Sequence, residues 1–244
     1  SAASDVYKRQ RTHVQTAGCS LTEQQPLNNI VRVAYQAMAG VLGGCQSLHT
    51  DSMDETLGLP TETAVRVALR TQQILAHETG IHRTVDPLGG SWYVEALTDR
   101  MEADATEIIN EIDNMGGVVS GINKGYFRRA IADASYRFGQ EMDAGDRIVV
   151  GMNAYHDGSE DQQVEILQIP HQVEIDQCDR LDAFKKNRNH DLVQKQLDVL
   201  RADARNGANT MPALVEASDA GATMGEMVQA LADVFGRYSG GPEW

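Results

Sequence analysis

The sequence predicts an α/β fold, an incomplete piece of a larger parallel sheet followed by a mostly helical segment. Three observations carry this. Short strand-like runs alternate with helix-periodic stretches over residues 11–92, which the crossover rule turns into parallel strands. Two of those runs are polar where a packed strand would be apolar. The pattern after Gly116-Gly117 then becomes helical, with faces only partly apolar.

Residues 1–10 show no pattern that connects to the first strand and are set aside as a leader. The run Arg11-Thr-His-Val-Gln-Thr-Ala-Gly18 reads as that strand. Its alternation places His13 and Gln15 on one face and Thr12, Val14 and Thr16 on the other. Gly18 then allows a turn or a close backbone approach to a ligand. A polar loop leads to a helix that Asn28 or Asn29 can cap. Ile30, Val33, Ala34, Ala37, Met38 and Val41 form its stripe, and Gly43-Gly44 ends it.

The second strand, 45–50, is Cys-Gln-Ser-Leu-His-Thr, and the acidic loop Asp51 to Glu55 comes after it. Pro60 is expected in the first turn of the next helix. The buried face of that helix is expected to hold Val65, Ala68, Leu69, Gln72 and Leu75, with Gly80 as its end. Residues 81–86 read as a third strand, and Asp86-Pro-Leu-Gly-Gly90 as a turn. A long helix from about Trp92 to Met115 carries Val94, Leu97, Met101, Ala105, Ile108 and Ile112. Beyond it the pattern predicts a helix over 126–143, a brief strand over 147–151, a solvated loop at 157–161 and an extended piece over 164–169. Helices are expected next at about 171–187, 190–205, 211–219 and 223–238. Three strands are too few for a closed barrel, so the sheet should be part of a larger one.

The 244 residues carry a formal net charge of −14 with no basic cluster, which argues against nucleic acid or an anionic membrane as partner. The three cysteines are odd in number and far apart, as expected of a reducing, cytoplasmic compartment. No cysteine or histidine spacing suggests a protein-ligated metal. No nucleotide-binding, nucleophile-elbow or zinc-protease motif occurs.

Buried polar groups must be paired by protein, water or ligand. A strand offering His13 and Gln15 beside one offering Gln46, His49 and Thr50 therefore favours a polar channel over an apolar core. A self-satisfied hydrogen-bond network is the alternative. His49 lies on the opposite strand face from Gln46, and for it the structural reading is preferred. Asp51, Asp54 and Glu55 read as paired carboxylates for acid–base work or as a solvated loop.

Arg11 to Gly18, Gln46-Ser-Leu-His-Thr-Asp-Ser-Met-Asp-Glu55 with Leu59-Pro60-Thr61, and Thr84-Val-Asp-Pro-Leu-Gly-Gly-Ser-Trp-Tyr-Val-Glu95 together resemble the large, catalytic subunits of the methylmalonyl-CoA mutase family. Weaker matches are Met224-Gly-Glu-Met227 and Phe235-Gly-Arg-Tyr238, so the resemblance runs from about 11 to 238. It implies the C-terminal part of a TIM (β/α)8 barrel. Residues 11–92 would be the last three βα units, 93–244 a helical post-barrel segment, and 1–10 a leader outside the family pattern. It implies an adenosylcobalamin-dependent isomerase that rearranges the carbon skeleton of an acyl-CoA, interconverting methylmalonyl-CoA and succinyl-CoA. Isobutyryl-CoA, 2-hydroxyisobutyryl-CoA or ethylmalonyl-CoA mutases, and a non-catalytic scaffold of the same fold, are the alternatives.

Position by position, His13, Gln46 and Asp51 resemble residues near the CoA substrate. Gln15, Gly18, Glu55 and Gly58 resemble residues near the corrin or adenosyl group. Asp51 departs from the family pattern, where Asn is usual, and Gly58 stands where relatives carry Ala. The family's substrate-selecting Tyr/Arg pair, its main catalytic His and its cobalamin-binding domain find no counterpart in this sequence. The expectation is a fragment inactive alone, partnered by a cobalamin-binding domain or subunit in a dimer or heterodimer.

Overall fold

A computed structural model describes residues 11–156 and 164–238. The chain divides into two compact units, Ser1–Leu167 and Gln168–Trp244. The boundary expected at 92/93 between barrel and post-barrel segments falls inside the first unit. The leader 1–10 and the loop 157–161 lie outside the described residues.

The first unit opens with β1 (His13–Gln15), a 3₁₀ turn (Gly18–Ser20), α1 (Asn28–Leu42), β2 (Ser47–His49) and α2 (Glu62–His77). The two strands pair in parallel, His13 opposite Ser47, Val14 opposite Leu48 and Gln15 opposite His49. Both are shorter than expected: one backbone bond continues at each end, Gln46 N to Thr12 O and Thr16 N to His49 O, and the amides of Thr12, Ala17 and Asp51 then donate to side chains. This register sorts the sheet into two faces. Val14 and Leu48 face α1, where Gly40 lets the helix come close: a Cβ there would stand 2.9 Å from Val14 Cγ1. His13, Gln15, Ser47 and His49 occupy the other face.

Helix α1 does not use Asn28 or Asn29 as its cap. Leu27 holds that position with no side-chain bond. The amides of Asn28, Asn29 and Ile30 instead donate to the carbonyls of Gln25, Pro26 and Leu27, so no orphan donor calls for a side-chain cap. Fully buried Asn29 ties the preceding loop to the acidic loop beyond β2, donating to the Thr22 and Met53 carbonyls at 2.8 and 2.9 Å.

Helix α2 begins at Glu62, two residues beyond the expected Pro60 start. Pro60 precedes the cap, and Thr61 is the cap, its hydroxyl accepting from Ala64 N at 3.2 Å. Asp54 Oδ2 in turn accepts from Thr61 N and Thr61 Oγ1, at 2.9 and 3.0 Å. The acidic loop is thereby pinned to the start of the helix. Thr61→Ala removes both side-chain links and is expected to cost about 2 kcal/mol, with Thr61→Ser recovering most of it. Amide exchange in the first turn of α2 measures this. Ala68 and Leu75 of the expected stripe are buried in α2, joined by Ala64 and Thr71 in place of Val65, Leu69 and Gln72. Val65 and Leu69 are half exposed and line a cavity together with Gln72.

Residues 81–86 are not a strand. Ile81–Arg83 form a 3₁₀ turn after Gly80, whose φ of 72° reverses the chain, and Arg83 N closes onto Gly80 O. A strand needs a ladder partner, and the only ladder among the described residues is β1 with β2. Three helices come next: α3 (Trp92–Asn114), α4 (Val118–Asn123) and α5 (Tyr126–Ala144). The expected α3 stripe is there in sequence, yet no residue of α3 is buried.

The strand expected at 147–151 is a loop. Asn153 takes up its backbone groups, accepting from Val149 N and donating to Arg147 O, both at 2.8 Å. Gly151, at φ 80°, then turns the chain. The extended piece at 164–169 pairs with no strand among the described residues.

The second unit contains α6 (His171–Asn187), α7 (His190–Arg205), α8 (Met211–Asp219) and α9 (Met224–Phe235), close to the expected bounds. Its core is Val193, Leu197, Leu200, Ala213, Ala217, Ala222 and Ala230, flanked by Met227 and Leu231. Alanines on α8 and α9 let these helices approach the leucines of α7 closely.

Candidate functional site

The carboxyl ends of two parallel strands are where α/β folds present side chains to ligands. Here that edge opens on a cavity of about 470 Å³, within the range of small-molecule sites. Gln15 enters it from β1, His49 from β2, and Thr50, Asp51, Ser52, Glu55 and Gly58 from the loop beyond β2. Leu59, Pro60, Val65, Ala68, Leu69 and Gln72 give the opposite wall. One wall is polar and the other apolar, the arrangement that orients an amphipathic ligand.

Asp51 is the hub. It is 2 % exposed. Its Oδ1 accepts from Gln15 Nε2 at 3.1 Å and its Oδ2 from Thr16 Oγ1 at 2.8 Å. Its own amide donates to Thr16 Oγ1 at 2.9 Å. His49 Nε2 stands 3.4 Å from Asp51 Oδ1, an ion pair when the imidazole is protonated. One floor up, Thr50 Oγ1 donates to Ala68 O and accepts from Gln72 Nε2, at 2.8 and 3.0 Å. These bonds fix the cavity's polar wall before any ligand arrives.

Glu55 reaches back over Gly18. A Cβ built on Gly18 would stand 2.2 Å from Glu55 Oε1, so the carboxyl fills the space a side chain would take. Glu55 is exposed as a residue, but this carboxyl is turned inward. Partial burial is the main force raising its pKa above the usual glutamate value. The Asp51 charge and the hydrogen bond to Asp51 add to the rise, and His49 opposes it.

Of the residues singled out in the sequence, the cavity brings together Gln15, Asp51, Glu55 and Gly58, with Gly18 under the Glu55 carboxyl. His13 and Gln46 lie outside its lining, at the start of the strands. His13 Nδ1 contacts Ser47 Oγ at 2.5 Å, and Gln46 Oε1 accepts from Thr12 N at 2.5 Å. Sequence reasoning set His49 aside and missed Gln72 as a wall residue. His49 was legible: sliding His13-Val-Gln15 against Ser47-Leu-His49 in parallel register puts it beside Gln15. No group of three or more metal-ligating side chains gathers among the described residues. No helix among them is long and apolar enough to cross a membrane.

Comparison with known proteins meets this geometry. The family model described as "Methylmalonyl-CoA mutase" matches residues 2–237, a span that begins inside the stretch 1–10 that its lack of pattern had set apart. A methylmalonyl-CoA mutase of Rhizobium meliloti is 44% identical over 235 residues, 96% of this chain and 33% of the relative. The human mitochondrial methylmalonyl-CoA mutase is 43% identical, covering 93% of this chain and 30% of its own length. The 2-hydroxyisobutanoyl-CoA mutase large subunit of Aquincola tertiaricarbonis is 42% identical, over 94% of this chain and 41% of its length. The chain spans about a third of the length of the first three curated relatives it matches. With a family match that covers nearly all of its residues, the chain belongs to the methylmalonyl-CoA mutase family.

Proposed function

We propose that the full-length protein is an adenosylcobalamin-dependent isomerase that interconverts methylmalonyl-CoA and succinyl-CoA. The observation that carries this is the in-register polar face His13–Ser47 and Gln15–His49, ending in the Asp51–Glu55 cavity. A packed barrel interior would not retain these groups, whereas a channel for a pantetheine arm requires them. Residues 11–92 would form the closing part of an eight-stranded barrel, with its axis along this face. The rest of the barrel and the cobalamin-binding domain or subunit would come from elsewhere in the assembly.

The cavity fits a nucleoside-sized group with hydroxyls: Gln15 and Glu55 offer amide and carboxyl partners, and Val65 and Leu69 an apolar wall. Gln15, Gly18, Glu55 and Gly58 would hold the adenosyl group and the corrin edge. When bound, adenosylcobalamin would supply radical hydrogen abstraction, chemistry that no protein side chain here provides. The chain's own work is to bind and orient. His13 and Gln46 sit at the strand start, where the acyl-CoA arm would pass, and Asp51 fixes the amide of Gln15. The apolar wall excludes water from the reacting centre.

The identity to the 2-hydroxyisobutanoyl-CoA mutase subunit, 42%, is nearly that to the methylmalonyl-CoA mutases, so a related acyl-CoA is the second reading for the substrate. The test mixes the full-length chain with its cobalamin-binding domain or subunit, adenosylcobalamin and succinyl-CoA. Formation of methylmalonyl-CoA with a change in the visible spectrum is expected. Cofactor binding without conversion would move the substrate to isobutyryl-, 2-hydroxyisobutyryl- or ethylmalonyl-CoA. Binding of neither would leave a non-catalytic scaffold of the mutase fold.

A further inference from the structure

Two side-chain amides line the cavity from its two walls, Gln15 at the end of β1 and Gln72 on α2. Gln72 is the one polar side chain on a wall otherwise made of Leu59, Pro60, Val65, Ala68 and Leu69. An amide can turn either its NH2 or its oxygen to a neighbour, and the neighbour's chemistry decides which. Thr50 Oγ1 donates to Ala68 O at 2.8 Å. A carbonyl only accepts, so the one hydroxyl proton of Thr50 lies on that bond. Toward Gln72 the hydroxyl is therefore an acceptor, and Gln72 gives it Nε2–H at 3.0 Å. Thr50 is buried, which keeps water from competing for these bonds.

Gln15 is fixed in the same way. The Thr16 hydroxyl accepts from the Asp51 amide and spends its own proton on Asp51 Oδ2. Asp51 Oδ1 receives Gln15 Nε2–H at 3.1 Å, with His49 Nε2 3.4 Å from the same oxygen. A carboxylate has no proton to give back, so the Gln15 nitrogen must face it. Each amide thus has its nitrogen tied to a buried residue, and the oxygen is the end left over. Neither Gln15 Oε1 nor Gln72 Oε1 has a hydrogen-bond partner among the described residues.

We infer that Thr50 and Asp51 lock Gln72 and Gln15 as a pair of hydrogen-bond acceptors on the two walls of the cavity, and that this pair selects a ligand group carrying N–H or O–H donors. Thr50 and Asp51 are positioning residues, and the two glutamines determine specificity. An amino or hydroxyl group finds an acceptor on each wall. A carbonyl, ether or methylated group in the same place meets bare oxygens and leaves them unpaired. The carboxylate of Asp51 matters to the lock. Asparagine, usual at this position in the family, can donate as well as accept and would leave Gln15 free to turn. The choice of a nucleoside as the donor-bearing group rests on the proposed function; the lock does not.

The lock is tested on the full-length protein without ligand, by nuclear magnetic resonance of isotope-labelled glutamine side chains, with Gln15→Met and Gln72→Met assigning the signals. Both carboxamides are expected to exchange with solvent roughly 10-fold or more slowly than exposed ones. Thr50→Val, which keeps the shape and removes the hydroxyl, should release Gln72 and leave Gln15 protected. Either carboxamide exchanging at the exposed rate in the wild type, or Gln72 staying protected in Thr50→Val, overturns the lock. The selection is tested by calorimetric titration of the same protein with adenosine, with purine riboside, which lacks the amino group, and with dideoxyadenosine, which lacks both ribose hydroxyls. At least one analogue is expected to bind roughly 10-fold more weakly than adenosine, and that gap should close to about twofold in Gln72→Met or Gln15→Met. Equal binding of all three overturns the selection. Protected carboxamides with no nucleoside bound would support the lock and count against the placing of the adenosyl group in this cavity.

Discussion

In the full-length protein, Gly18→Ala is expected to leave the fold intact and, on the proposed isomerase reading, to lower turnover by roughly 100-fold. The added methyl would stand 2.2 Å from Glu55 Oε1, far inside contact distance. The atom in its way is the far end of a flexible side chain on an open cavity wall, so the clash is relieved by swinging Glu55 aside rather than by moving backbone. Gly18 does not have a left-handed φ, so alanine meets no backbone strain there. The cost thus falls on the site: Glu55 loses its place over Gly18. Thermal unfolding within a few degrees of wild type, with turnover sharply reduced, is the expected pair of results. A Gly18→Ala/Glu55→Ala double variant should be little worse than either single one, since both remove the same positioned carboxyl. Additive losses would mean that Gly18 serves the ligand directly, by close backbone approach, and not through Glu55.

This dependence of one residue on another marks what the sequence could disclose. Helices were legible because a periodic stripe and a terminating glycine are local properties. The ends of α6, α7 and α8 fall where their patterns place them. The polar strand faces were legible too, since alternation alone sets His13 with Gln15. What failed was non-local. Residues 81–86 have strand composition but no neighbour to pair with among the described residues. Residues 147–151 lost their backbone partners to the Asn153 side chain. Val65 and Leu69 fit a core stripe on α2, yet they line the cavity, because helical periodicity gives a face and not what the face meets. His49 was set aside from its parity with Gln46, when the relevant parity was with Gln15 across the sheet. Asp51 stood out as an unusual residue. Its role came only from three bonds to residues about 35 positions away in the chain.

In the second unit the largest single loss of stability is expected from Glu226→Ala. The Arg188 guanidinium holds the Glu226 carboxylate with both its terminal nitrogens, at 2.7 and 2.5 Å, and also donates to Gly221 O at 2.8 Å. Glu226 simultaneously closes the capping box of α9, accepting from Thr223 N at 2.8 Å while Thr223 Oγ1 accepts from Glu226 N at 3.3 Å. One carboxylate therefore joins the α6–α7 linker, the α8–α9 turn and the start of α9. The Arg188 side chain is only 9% exposed, so removing Glu226 leaves a guanidinium enclosed with no counter-charge. Loss of a partner from such a pair costs about 3–5 kcal/mol. Arg188→Ala should cost less, near 2 kcal/mol, because Glu226 can turn to water. The same bonds hold the Glu226 carboxyl at about 2, below its usual 4.5, with the Arg188 hydrogen bonds as the main cause. A depressed carboxylate pKa contributes stability that is fully present above the unfolded value and is lost as pH falls through the folded one. The window here runs from about 4.5 down to about 2, and the contribution is at most about 3 kcal/mol, reduced by solvent screening near the surface. Urea unfolding followed by amide exchange in α7 to α9 across that range should show stability draining away with acid in the wild type. Glu226→Gln should start lower and respond less to acid. If Glu226→Gln kept the full acid dependence, other carboxylates, such as Asp233 with its Arg201 partner, would be setting it.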